Sequence, residues 1–84
     1  MEKITDNTLN SLAEAGEIDD VRLRVVDDGM RCEVRATVQG SDAPRVLHTR
    51  RGHKRHMNPQ TALQYVQSLG RGEVVVELEP EDGR

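Results

Sequence analysis

With 84 residues, the chain makes one small domain at most, and a domain of that size buries only about 60–65% of its unfolded surface. There is no Phe or Trp and one tyrosine, Tyr65. The core is left to Val, Leu, Ile and Ala, which supply less buried area per residue than aromatics, so a homodimer would add useful apolar burial. The single cysteine, Cys32, excludes an internal disulfide, and no run approaches the roughly 20 apolar residues of a membrane span or forms a signal-peptide core. The expectation is a cytoplasmic protein that does not enter a membrane.

The net charge of −3 conceals an uneven distribution. Residues 1–42 carry ten acids and five bases, residues 43–72 carry six bases and no acid, and residues 73–84 carry five acids and one base. A cationic block lies between acidic flanks.

Residues 1–84 read as a single domain, with 1–5 and 80–84 as frayed termini. Thr5 or Asp6 is placed to cap a first helix, with Leu9, Leu12 and Ala13 on one face and Gly16 as its stop. Val21-Arg22-Leu23-Arg24-Val25 alternates, as a half-buried strand must. Asp27-Asp28-Gly29 supplies a turn, and Arg31 to Val38 alternates again, completing a hairpin. Its outer face carries Arg22, Arg24, Arg31, Glu33 and Arg35. Its inner face carries Cys32, Val34, Ala36 and Val38.

After a turn at 40–44, a third strand runs from Arg45 to about Arg51 and ends at Gly52. Asn58-Pro59 opens a second helix, because Asn caps and Pro loses nothing at the first helical position. Ala62, Leu63, Val66 and Leu69 form its buried stripe, and Gly70 closes it. Glu73 to Leu78 is a final strand with Val74, Val76 and Leu78 on one face. The predicted fold is α+β in the order α-β-β-β-α-β, an antiparallel meander with the second helix packed on one face. The last strand joins an edge or pairs with another subunit.

Enzymatic motifs are missing: there is no GxSxG, Walker glycine loop, HExxH or GxGxxG. Cys32 reads as a small buried hydrophobe, and Asp19-Asp20 and Asp27-Asp28 as turn-forming acids. His48, His53 and His56 have the chemistry for zinc, but Arg51, Lys54 and Arg55 surround them with positive charge. No enzyme activity, cofactor or metal is expected.

The candidate contact surface is basic. Arg45, Arg50, Arg51, Lys54 and Arg55 are concentrated within residues 45–56, next to a helix N-terminus that also favours anions. Arg22, Arg24 and Arg35 on the hairpin face extend this surface toward phosphates, so nucleic acid is one candidate partner. The sheet face has no aromatic to stack on bases. The rival surface is the last strand. Glu73, Val75, Glu77 and Glu79 share its polar face, which could neutralise the arginines within one chain or dock on a second copy or another protein.

The hairpin VRLRVVDDGMRCEVRA, the basic VLHTRRGHKRHM, the capped helix NPQTALQYVQSLG and the strand EVVVEL occur in that order across residues 8–78. This pattern resembles the small ParC-type partition-associated proteins carried by plasmids and integrative elements of Gram-negative bacteria, with Met57 where the family pattern has an aromatic. The resemblance implies an accessory protein of plasmid maintenance acting near DNA or a partition protein. It assigns no binding residue.

Overall fold

The computed structural model describes residues 2–26 and 29–78. The turn acids Asp27 and Asp28, and the expected frayed end at 80–84, lie outside the described residues. The fold is α+β, with two helices on a mixed sheet.

The strands are β1 (Glu2–Thr5), β2 (Ile18–Val26), β3 (Arg31–Val38), β4 (Arg45–His48), β5 (His56–Met57) and β6 (Val75–Leu78); the helices are α1 (Asp6–Glu14) and α2 (Pro59–Ser68). The sheet runs β1-β4-β3-β2-β6, with β5 also pairing to β3. The β2–β3 hairpin forms in the register that alternation demands, with Leu23 opposite Val34 and Arg22 opposite Arg35.

Three expectations are corrected. Residues 2–5 are not frayed; they form β1, parallel to β4, with Ile4 opposite Leu47 and only 4% exposed. Burying Ile4 offsets the ordering of a short strand whose other residues are polar. The sheet is mixed and not a pure antiparallel meander, because β6 also pairs parallel, on β2. The third strand stops at His48, and the chain pairs with β3 again only at β5.

Both helices cover one face. Leu9 of α1 and Ala62 and Val66 of α2 join Ile4, Val21, Leu23, Cys32, Val34, Ala36, Leu47 and Met57 in a single core. Asn58 caps α2 as expected, its side-chain oxygen accepting from the Thr61 N–H at 2.8 Å. Thr5 occupies the N-cap of α1 without a side-chain cap bond; its hydroxyl reaches Thr8 instead. Leu63 departs from the expected buried stripe and is 46% exposed.

Candidate functional site

The basic stretch is an excursion from a strand. β4 pairs with β3 through Arg35↔Val46, and β5 resumes on the same edge through Glu33↔His56. Between them residues 49–55 fold into a small hairpin. The Gly52 N–H donates to the Thr49 carbonyl at 2.9 Å, and the Arg55 N–H donates to the Leu47 carbonyl at 3.0 Å. Gly52 takes φ +88°, where a side chain would be strained.

Alternation sends the cations of this arm to opposite faces. Lys54 turns to the helix-free face, 3.8 Å from Glu33. Arg55 turns to the helices; its guanidinium is 3.0 Å from Asp6, at the start of α1, and 5.9 Å from the Tyr65 ring centroid on α2. Arg50 and Arg51 are exposed at the turn, and among the described residues no acid pairs with them.

The other arginines are largely neutralised. Arg22 is 2.6 Å from Asp20 and 3.8 Å from Glu77. The hydrogen bond and charge of Asp20, helped by Glu77, hold its guanidinium protonated more firmly than usual. Arg35 is 3.7 Å from Glu33, and Arg45 is 3.2 Å from Glu2. Arg24 lies in register between Glu33 and Glu77 but, among the described residues, forms an ion pair with neither. The cations named from the sequence therefore do not merge into one patch. Their partners lie far away in sequence, or two residues along the same strand.

Glu33 is the position that alternation describes least well. It does sit on the helix-free face, but it is 5% exposed because the arm and β5 close over it. Its carboxylate serves both Arg35 and Lys54. His48 is also buried, on the same face of β4 as Val46, and gives its Nδ1 hydrogen to the Val46 carbonyl at 2.7 Å. Among the described residues no group of three or more His, Cys, Asp or Glu is placed to hold a metal. Cys32 faces the core at 1% exposure, and burial raises its thiol pKa.

The second surface is β6. It is paired on one side only, through Arg22↔Val75, Leu23↔Val76, Arg24↔Glu77 and Val25↔Leu78. Glu77 shares the helix-free face with Arg22 and Arg24, as its alternation requires. Glu73 precedes the strand and is exposed, and Glu79 lies outside the described residues. The apolar side chains were less legible. Val76 and Leu78 point to the helix side, yet they are 47% and 73% exposed, and Val75 on the other face is 50% exposed. α2 packs over β3 and β2 and does not extend across β6. Between α2 and residues 71–74, which lead into β6, Leu63, Gln64, Gln67, Arg71 and Val74 line an open groove of about 360 Å³. A valine-rich strand ordinarily signals burial. Only the sheet order reveals that this one overhangs its helix.

No described helix is long and apolar enough to cross a membrane. No known protein family, curated protein or solved structure matches the chain.

Proposed function

We propose that this protein is a non-enzymatic interaction module that self-associates through the β6 edge of its sheet. The observation that carries this reading is the overhang: three apolar residues of one edge strand, Val75, Val76 and Leu78, are about half exposed or more while the strand's outer side is unpaired. An unpaired edge offers main-chain donors and acceptors to another strand, and natural sheets usually blunt such edges with charge. Here the edge is apolar. Its one strand acid, Glu77, is turned toward Arg22.

Light scattering across a concentration series tests the proposal. The expected result is a dimer that Val76→Lys converts to a monomer with an unchanged far-ultraviolet circular dichroism spectrum. A native chain that stays monomeric at the highest concentrations overturns it.

One observation favours a second reading, in which the protein contacts nucleic acid phosphates. Arg50 and Arg51 stand exposed at the tip of the arm, and no acid among the described residues pairs with them. Binding carried by two arginines would be weak and would fall with salt through counterion release. Fluorescence anisotropy with duplex and single-stranded oligonucleotides at low salt, repeated with Arg50→Ala and Arg51→Ala together, tests it. A role beside a plasmid partition apparatus is compatible with either reading and rests on the sequence resemblance alone.

A further inference from the structure

We infer that self-association pairs β6 with β6 of a second copy, antiparallel about a two-fold axis at Val76, and that each copy inserts Leu78 into the groove between α2 and residues 71–74 of the other. This inference rests on the proposed role of the β6 edge and adds the register and the occupant of the groove.

The register follows from the charges. A two-fold axis perpendicular to a sheet joins identical strands antiparallel and keeps each residue on its own face, so the axis passes through one residue. Placing it at Val75 sets Glu73 opposite Glu77. Placing it at Glu77 sets two Glu77 carboxylates against each other. Like charges directly opposite destabilise a strand pair. An axis at Val74 brings β6 against residues 70–73, which are not strand, and an axis at Leu78 sets Glu77 opposite Glu79 of the sequence. The axis at Val76 keeps like charges out of β6 itself, leaving Glu73 opposite Glu79 of the sequence only beyond the two ends of the strand. It faces Val76 with Val76, Val75 with Glu77, and Val74 with Leu78. Glu77 keeps Arg22 and Arg24 of its own chain beside it.

The same register solves a packing problem on the helix side. Leu78, at 73% exposure, is the most exposed large apolar residue of β6. Val74, which it would face, lines the groove together with Leu63. The groove has room for a leucine side chain and lies where the partner's Leu78 arrives. Each copy thus offers one projecting residue and one recess, related by the axis, as a closed isologous contact requires.

Disulfide trapping tests the register. Directly opposed residues of an antiparallel pair have Cα atoms about 4.5–5.5 Å apart, within disulfide reach, whereas diagonal neighbours lie about 7–8 Å apart. Cys32 is buried and can be left in place. Val76→Cys should oxidise to a covalent dimer. Val75→Cys alone and Glu77→Cys alone should not, but the two mixed should cross-link to each other. Leu78→Ala should weaken dimerisation at least tenfold in dissociation constant. In the unmodified chain, amide exchange at 75–78 should slow as concentration rises. A dimer by light scattering that cross-links preferentially through Val75→Cys or Glu77→Cys alone overturns the register and leaves self-association standing. A monomer with concentration-independent exchange at 75–78 overturns both.

Discussion

The two edge strands of this sheet, β1 and β6, have the same length and both pair parallel, but they are finished differently. β1 runs directly into α1, so its one apolar side chain, Ile4, is covered and 4% exposed. The remaining residues of β1 are polar, and Glu2 ties the strand to Arg45 of β4 at 3.2 Å. The basic arm reinforces this end through Arg55, Asp6 and Tyr65. β6 follows a loop, no helix lies over it, and its inward residues Val76 and Leu78 remain in water. The contrast shows that an edge is closed by what covers its inward side chains and by charge along its rim, and that hydrophobic content alone does not close it.

The sharpest way to break this comparison is to truncate one inward residue on each edge. Ile4→Ala should destabilise the fold by about 2–5 kcal/mol, since it leaves a cavity under α1. Leu78→Ala should change monomer stability by less than about 0.5 kcal/mol, as for surface positions in general. Urea denaturation below the dimerisation range measures both. Equal losses would mean that β6 is as well covered as β1. The Arg55–Asp6 pair probes the closed end more gently. Both partners are about 40% exposed, so Asp6→Asn should cost less than about 1 kcal/mol, and less again in high salt.

The smallest expected effect concerns Tyr65. Burial, followed by the nearby Asp6 charge, raises its phenol pKa against the opposing pull of Arg55. The native state therefore holds this proton more tightly than the unfolded chain does. That contribution is complete below the ordinary tyrosine value of about 10 and is lost as pH climbs through the raised native value. Tyr65→Phe should flatten this alkaline loss. Below it the substitution should be neutral or slightly stabilising, because the buried hydroxyl finds no hydrogen-bond partner among the described residues. Thermal melts of both chains between pH 8 and about 11 check the sign.

Much of the fold was readable where the signal is local. Strict alternation located the hairpin and its faces, and Asn58-Pro59 located the start of α2 to the residue. What escaped depends on distant partners. EKIT carries one apolar residue, so nothing in it announces a strand; β4, more than forty positions on, makes it one. Counting bases without acids made 45–56 look like a free cationic surface, but Glu2, Asp6 and Glu33 reach Arg45, Arg55 and Lys54 from elsewhere in the chain. Glu33 alternates outward as expected and is nevertheless buried, because an arm far along the chain folds over it. The residues of the exposed β6 edge were legible only in part. Glu77 and Val75 were placed on their observed face, whereas the exposure of Val76, Leu78 and Leu63 is a property of sheet order.

That order also sets a sequence of events during synthesis. β1 must wait for β4 to emerge, so it cannot join the sheet until residue 48 has been made, whereas the β2–β3 hairpin can form earlier. By the time α2 is complete, every member of the buried core, from Ile4 to Val66, already exists. β6 comes after all of them. The exposed apolar edge is therefore the last element to emerge, after every residue of the buried core that it overhangs.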